Sequence, residues 1–172
     1  MLRMTKQADY GIVLLSHMAT RSLETGIDAT ELRFAAPELS EATGLPLPTV
    51  SKILKLLSRQ DVLNSHRGVK GGYSLANRPE NVSVVRMIEA LDGPIAFTEC
   101  VEESPGHCSQ EATCKIRDNW QLINTAVRTA LKQISLSDLM RSQPDQLVQL
   151  TVGGQPIVKE GLTDSAGEGL QS

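Results

Sequence analysis

The sequence predicts a mainly α-helical protein with a small β-wing, in which a winged helix-turn-helix domain precedes a long dimerisation helix. Three features indicate this fold class: two short helices joined by a tight turn, a basic glycine-rich hairpin after them, and a long amphipathic segment in the second half. The length of 172 residues fits one domain with a tail. Aromatic residues are only 3% of the chain, so aliphatic side chains must supply most of the core.

The first helix is predicted from about Thr5 to Arg21, where apolar residues recur at helical spacing. The second begins at Pro37, a residue suited to a first helical turn, and ends before Gly44. The third spans Pro48 to Arg59, and its apolar residues share one face: Val50, Ile53, Leu54 and Leu57. The second and third helices, with the turn between them, form a helix-turn-helix.

A β-hairpin is predicted next, with strands at Val62–Arg67 and Tyr73–Ala76 around a turn that contains three glycines. A very short strand is also predicted upstream, at Leu32–Ala35. A fourth helix should run from Ser83, a suitable N-cap, to Leu91, because a Gly-Pro pair stops it. Helix-turn-helix followed by a basic hairpin is a winged helix, and we assign residues 1–95 to this domain.

The charge distribution indicates a localised anion-binding surface. The whole chain carries a net charge of −3. Residues 46–78 contain six basic residues and one acidic residue, a net charge of +5, whereas residues 81–172 carry −5. A basic segment within an acidic chain is typical of a nucleic-acid-binding surface, although a solvated face with chance clustering or a winged helix used for protein contacts would look similar.

Double-stranded DNA is the partner that this surface predicts. The outer, N-terminal side of the third helix should reach base edges, and the cations further along it should reach phosphates. The wing should add further phosphate or minor-groove contacts. The predicted DNA-binding residues are Thr49, Ser51 and Lys52 for bases, Lys55 and Arg59 for phosphates, and His66, Arg67 and Lys70 of the wing.

A long helix is predicted from Lys115 to Ile134, followed by a short helix at Ser137–Arg141. Apolar residues along the long helix are spaced alternately four and three apart, which favours a helix–helix seam between two subunits. The alternative is that the stripe packs on its own domain. The seam consists of Ile116, Trp120, Ile123, Val127, Ala130 and Ile134. Residues 115–141 are therefore assigned to dimerisation, and residues 142–172, rich in polar and small residues, to a disordered tail.

The chain has three cysteines, and all lie in or at the end of one polar segment, residues 96–114, which we call the connector. Cys100, Cys108 and Cys114 at this spacing favour an iron–sulfur cluster, either 2Fe-2S or 4Fe-4S, over scattered core thiols. Unliganded cysteines, a zinc site or a thiol-redox switch are the alternatives. Three thiolates need a fourth ligand: His107, which is adjacent to Cys108, or Asp9 of the first helix, from the same subunit or a partner.

Other classes of protein are disfavoured. The N-terminus carries charges where a signal peptide needs a continuous apolar stretch, and no apolar run is long enough to span a membrane, so a cytoplasmic protein without a membrane partner is expected. The sequence contains no phosphate loop, no nucleophile–base pairing and no metal motif with a general base. We therefore predict that the chain is not an enzyme and has no small-molecule substrate.

Several segments together resemble the Rrf-two family of bacterial transcriptional regulators, which includes iron–sulfur and nitric-oxide sensors. They are residues 4–11 (MTKQADYG), 39–46 (LSEATGLP), the wing residues 67–76 (RGVKGGYSLA) and the three cysteines before Trp120. The resemblance covers about residues 1–141. Within the family, the opening segment and the cysteine spacing look most like the regulators of the SUF iron–sulfur assembly operon in gammaproteobacteria.

The resemblance implies a homodimer that binds a pseudo-palindromic operator and holds a cluster through the three cysteines. Such a protein would repress iron–sulfur assembly genes; a regulator of the same fold that responds to nitric oxide, zinc or thiol redox state is the alternative. Some relatives use a histidine three residues after the last cysteine, but this chain has Arg117 there. Others use a carboxylate in the first helix, where Asp9 lies. The spacing between Cys100 and Cys108 is longer than is common in the family.

Overall fold

The computed structural model describes residues 4–68, 71–96 and 114–141, and the backbone of 151–152 and 155–156. The chain forms two compact units, Met1–Ser142 and Gln143–Ser172. The first contains the winged helix, the long helix and the short helix after it. In the second, the strands β3 (Thr151–Val152) and β4 (Gln155–Pro156) pair antiparallel. The prediction of a disordered tail otherwise falls outside the described residues.

Three helices make the first half of the domain: α1 (Lys6–Thr25), α2 (Ala36–Thr43) and α3 (Leu47–Arg59). The hydroxyl of Thr5 caps α1 by accepting a hydrogen bond from the backbone N–H of Ala8 at 3.1 Å. Helix α1 extends past the predicted end to Thr25, because the left-handed residue that terminates it is Gly26. The predicted ends of α2 and α3 are confirmed, and each helix begins one residue earlier than predicted.

The wing is a two-stranded hairpin, β1 (Leu63–His66) and β2 (Gly72–Leu75), extended by one residue of a third strand. Phe34 and Tyr73 exchange two backbone hydrogen bonds of 2.9 Å, so the predicted strand at Leu32–Ala35 forms only as a single bridge. This close approach requires glycine at position 72. There φ is +144°, and a Cβ atom would lie 2.6 Å from the carbonyl oxygen of Phe34.

The junction between α3 and the wing is a Schellman motif. The N–H of Asp61 donates to Ser58, and the N–H of Val62 donates to Leu57 at 2.9 Å. Val62 and Leu57 are both buried, which provides the apolar contact that accompanies this motif. Asp61 holds the left-handed position with φ of +53°, where glycine is usual. This turn fixes the direction in which the wing leaves the third helix.

Helix α4 (Val84–Asp92) follows a short 3₁₀ turn, and its predicted cap is confirmed because Ser83 accepts a hydrogen bond from the N–H of Arg86. The long helix is α5 (Arg117–Gln133), and α6 (Leu136–Met140) follows it directly. The segment between α5 and α6 pairs with the residues before α4. Val84 N–H donates to Ile134 at 2.8 Å, and Leu136 N–H donates to Val82 at 2.7 Å. These bonds fasten the end of α5 to the winged helix.

One aliphatic core joins α1, α3, α4, the base of the wing and α6. Its largest fully buried side chains are Leu14, Leu15, Met18, Leu39, Val50, Ile53, Leu54, Leu57, Leu63, Leu75, Met87 and Leu136. Each side chain of this size contributes about 1.5–3 kcal/mol when it is removed from water. Because Leu136 of α6 belongs to this set, the chain after the long helix is part of the core.

The close contact between α1 and α4 depends on a residue without a side chain. A Cβ atom at Gly11 would lie 2.2 Å from the Cδ1 atom of Leu91. The Leu91 side chain therefore packs directly on the α1 backbone, and a side chain at position 11 would force it to move. Among the described residues, every helix is too short or too polar to cross a bilayer.

Candidate nucleic-acid interface and cysteine connector

Helix α3 has the two faces that a recognition helix needs. Val50, Ile53, Leu54 and Leu57 are at most 1% exposed, so the predicted buried face is confirmed. The opposite side presents Lys52, Lys55 and Arg59 to solvent, with Thr49 and Ser51 half-buried beside them. The three cations have no ion-pair partner among the described residues. They are therefore available to bind an external anion.

The wing residues occupy different environments. Arg67 is exposed at the end of β1, whereas His66 is half-buried. The His66 Nε2 atom lies 2.9 Å from the hydroxyl of Ser74, which is fully buried. This hydrogen bond crosses the hairpin, so His66 is placed to support the wing from inside it. Lys70, also predicted to bind DNA, lies outside the described residues.

Arg78, the last cation of the basic segment, is already paired within the chain. Its Nε atom donates to the Asp28 carboxylate at 3.2 Å. The backbone N–H of Thr30 contributes most to lowering the pKa of Asp28, followed by the Thr30 hydroxyl and Arg78. Asp28 therefore stays ionised beside Arg78, and the positive surface is made by the other basic residues of α3 and the wing.

A groove of about 390 Å³ lies between the first turns of α1 and the start of α3. It is lined by Lys6, Gln7 and Tyr10 from α1 and by Pro48, Thr49, Lys52 and Ile53 from α3. No sequence pattern signals this pairing directly, because α1 and α3 are distant in the chain and the periodicity of α1 indicates only a packed helix. The fold brings a second lysine and a tyrosine next to the predicted base-reading residues.

The last turn of α4, which precedes the connector, is hydrogen-bonded to the start of α1. The Thr5 hydroxyl donates to the two carboxylate oxygens of Asp92, at 2.7 and 2.8 Å. The Gln7 side-chain amide donates to the backbone carbonyl of Leu91 at 2.7 Å. Asp9 is exposed and lies four residues after Thr5, so the two side chains share one side of α1. The possible carboxylate ligand thus lies on the side of α1 whose Thr5 hydroxyl is hydrogen-bonded to the end of α4.

The structure places only part of the predicted metal site. Cys114 is a free, half-buried thiol at the end of the connector, three residues before α5. Cys100, Cys108 and His107 lie outside the described residues. Within the described ranges alone, no three side chains of the metal-binding types come together. The thiolate site and its fourth ligand therefore stay predictions, and the donor set of three thiolates and one carboxylate fits an iron–sulfur cluster in its chemistry.

Helix α5 leaves apolar residues uncovered. Of its residues, only the polar Asn124 is buried. Ile116 and Ile123 of the predicted seam are 53% and 44% exposed, whereas Ile134 packs against the core. An ion pair of 2.7 Å between Arg128 and Glu89 joins α5 to α4. The stripe thus packs on its own domain at one end and is open at the other.

The comparison with known proteins decides the family. Residues 4–142 match the family model Rrf2, described as an iron-dependent transcriptional regulator. The chain belongs to the Rrf2 family. This confirms the resemblance to the Rrf-two family at the level of the family as a whole. The chain is therefore a DNA-binding transcriptional regulator with a winged helix, and it is not an enzyme.

Relatives span most of the chain at low identity. The protein rrf2 of Nitratidesulfovibrio vulgaris is 27% identical over 140 residues, 81% of this chain and 88% of that protein. The regulator IscR of Aliivibrio salmonicida is 24% identical over 165 residues, 96% of this chain and 93% of that protein.

Two solved structures of similar regulators share the fold. The first is CymR of B. subtilis, a global cysteine regulator, with a TM-score of 0.61 and 22% identity over 83% of this chain and 99% of that chain. The second is T. potens IscR, with a TM-score of 0.59 and 21% identity over 86% of this chain and 93% of that chain. Both likenesses concern the winged-helix fold.

Proposed function

We propose that this Rrf2-family regulator senses an iron–sulfur cluster and represses iron–sulfur assembly genes, as a cytoplasmic homodimer that binds a pseudo-palindromic operator. The observation that carries the proposal is the placement of the only three cysteines in the connector between the winged helix and α5. The family description as iron-dependent and the likeness to IscR proteins support it. The resemblance to SUF-operon regulators names the genes that the protein would control.

Cys100, Cys108, Cys114 and Asp9 would hold the cluster, which supplies a cross-link sensitive to oxidation and ligand exchange. Cys114 is free of any disulfide within the described residues and Asp9 is solvent-exposed, so both are available as ligands. We favour Asp9 over His107 because the side of α1 that carries Asp9 is already hydrogen-bonded to the end of α4 through Thr5 and Asp92.

This arrangement connects the ligands to the DNA-binding surface. Asp9 lies in α1, whose first turns line a groove together with Thr49 and Lys52 of α3. Ligation through Asp9 would tie the connector, and with it the start of α5, to α1, which the core already packs against α3 and α4. In a dimer it would also fix the angle between two recognition helices, which must reach half-sites about 34 Å apart. Loss of the ligated state would release these restraints and shift the population of DNA-competent dimers.

The homodimer would form through α5. No apolar side chain of α5 is completely buried within its own subunit, and two isoleucines of the stripe are exposed. An exposed apolar stripe of this kind is expected to pack against a partner. A second copy offers the same stripe, and a two-fold axis would bring the two stripes together.

Anaerobic purification of the full chain tests the cluster. We expect visible absorption and stoichiometric iron and acid-labile sulfide, and we expect the Cys100→Ser, Cys108→Ser, Cys114→Ser triple variant to lose all three. Protein that is colourless and free of iron after reconstitution in vitro would contradict the proposal. Zinc in the metal analysis, or a disulfide found by mass spectrometry after oxidation, would support the zinc or thiol-redox alternative, and reaction with nitric oxide would identify a nitric-oxide sensor.

The fourth ligand has a matched pair of variants. We expect Asp9→Ala to retain less iron than wild type and to lose its visible absorption faster in air, while His107→Ala behaves like wild type. The reverse result would assign the ligand to His107. Equal behaviour of both variants and wild type would show that the ligand comes from elsewhere.

A further inference from the structure

The groove between α1 and α3 combines positive charge with hydrogen-bond donors. Lys6 and Lys52 are both exposed at the groove, one on each helix, and none of the described residues that line it is acidic. Neither lysine has an ion-pair partner among the described residues. The Gln7 side chain is held toward α4 by the hydrogen bond from its amide to the Leu91 carbonyl. The other polar groups that line the groove are two ammonium groups, the Tyr10 phenol and the Thr49 hydroxyl.

The position of the groove limits what can occupy it. Thr49 and Lys52 are the residues expected to face the base edges, so a DNA duplex bound to α3 would pass a strand beside this groove. A backbone phosphate is the anionic group that recurs along such a strand. Lysine and tyrosine side chains frequently donate hydrogen bonds to phosphate oxygens. Ile53 is 1% exposed and forms an apolar floor, which lowers the local dielectric and strengthens an ion pair above it.

We propose that Lys6 and Tyr10 of α1 bind one phosphate of the DNA backbone next to the bases that α3 reads, with Lys52 on the opposite side of the same groove. This inference rests on the proposed DNA-binding surface of α3 and adds a helix to it that the helix-turn-helix pattern does not include. It makes α1 the element that carries both a phosphate contact and the hydrogen bonds to the end of α4.

The proposal is tested by measuring how DNA binding of the Lys6→Gln variant depends on salt concentration. The probes are a duplex enriched by in vitro selection on the full-length wild-type protein and a scrambled duplex of equal length, followed by fluorescence anisotropy. Loss of one phosphate contact should reduce the slope of log K against log salt by about 0.9, and affinity by about fivefold at ~0.15 M salt. Affinity should fall by the same factor for both duplexes, because a phosphate carries no sequence information. Tyr10→Phe should lower the affinity by a smaller factor, which should again be the same for both duplexes.

Two controls separate this inference from the proposed function. Lys132→Gln removes an exposed lysine from α5, on a different element, and should leave slope and affinity unchanged. Lys52→Gln should reduce affinity for the selected duplex more than for the scrambled one. If Lys6→Gln keeps the wild-type slope while Lys52→Gln weakens selective binding, the phosphate site is refuted and the recognition surface stands. If Lys52→Gln also has no effect, the recognition surface itself is wrong.

Discussion

At the residue scale, the side-chain environments separate basic residues without a partner among the described residues from basic residues that are already hydrogen-bonded within the fold. Lys52 and Arg67 are exposed and unpaired among the described residues, whereas His66 is hydrogen-bonded to Ser74 and Arg78 is paired with Asp28. Lys52, Arg67 and Arg78 all count toward the positive charge of residues 46–78, so the charge pattern alone does not separate them. The partners of His66 and Arg78 come from β2 and from the loop after α1, which only the fold brings close.

We predict that Lys52→Ala and Arg67→Ala each remove one phosphate or base contact. Each variant should therefore bind the operator roughly five- to tenfold more weakly near 0.15 M salt. His66→Ala should leave the salt slope unchanged, because its ring lies inside the wing rather than against a phosphate. Mobility-shift titration at several salt concentrations measures both quantities. Unchanged binding of the two cation variants would remove α3 and the wing from the interface.

Asp61 gives a second prediction at this scale. Its left-handed backbone is costly for a residue with a Cβ atom, so Asp61→Gly should stabilise the full chain by about 0.5–1 kcal/mol after the entropy cost of glycine. Denaturant unfolding at fixed protein concentration measures the change. Asp61→Asn removes the same charge but keeps a Cβ atom. Equal stabilisation by asparagine and glycine would attribute the effect to charge instead of backbone conformation.

At the element scale, each helix is positioned by its ends as much as by its apolar face. Thr5 caps α1 and also donates to Asp92, so one hydroxyl begins a helix and joins it to the end of another. Ser135 and Asp138 form a capping box that starts α6, with the Ser135 N–H donating to Asp138 at 2.9 Å. These contacts set where α1 and α6 meet the rest of the domain, and α6 carries the buried Leu136.

The capping box predicts a pH dependence of stability. Hydrogen bonds from the Ser135 hydroxyl and N–H lower the pKa of Asp138 below its ordinary value of 3.8. A lowered pKa in the folded state means that the stabilisation is fully present above about pH 4 and is lost as the pH falls through the folded pKa. Asp138→Asn should therefore destabilise the protein at pH 7, by about 0.3–1 kcal/mol, and less near pH 3.

Denaturant unfolding of wild type and variant between pH 7 and pH 3 measures this difference. Asp118→Asn is the matched control, because Asp118 is also an acid in a first helical turn but has no hydrogen-bond or ion-pair partner among the described residues. The change in the free energy of unfolding caused by Asp118→Asn should not decrease toward acid pH as that of Asp138→Asn does. A constant difference for Asp138→Asn across this range would show that its carboxylate does not act through the capping hydrogen bonds.

At the scale of the whole molecule, the unit Met1–Ser142 unites the DNA-binding surface and α5 around one core, while α5 keeps an uncovered apolar stripe. The segment after α5 pairs with the residues before α4, which prevents the end of the long helix from moving independently. A second subunit that packs on the stripe would therefore be held rigidly relative to both winged helices. Such rigidity is what a two-half-site operator requires.

We predict that Ile123→Glu converts a dimer into a monomer, because it places a charge in the seam. Sedimentation velocity of the full chain measures the state, and circular dichroism checks that the helices remain. Leu122→Glu is the matched control: Leu122 is 71% exposed and neighbours Ile123, but it points away from the seam. If Leu122→Glu dissociates the protein and Ile123→Glu does not, the interface lies on another face of α5.

The sequence by itself determined the winged helix, because helix caps, glycines at the wing and apolar periodicity are local signals that report on neighbouring residues. It also determined the two faces of the predicted recognition helix, since its amphipathic pattern places cations opposite four buried aliphatic residues. Tertiary structure alone decided which cations are free, that α1 lies beside α3, and that α1 is hydrogen-bonded to the end of α4. These features depend on contacts between side chains that are far apart in the sequence. Periodicity and spacing do not encode such contacts.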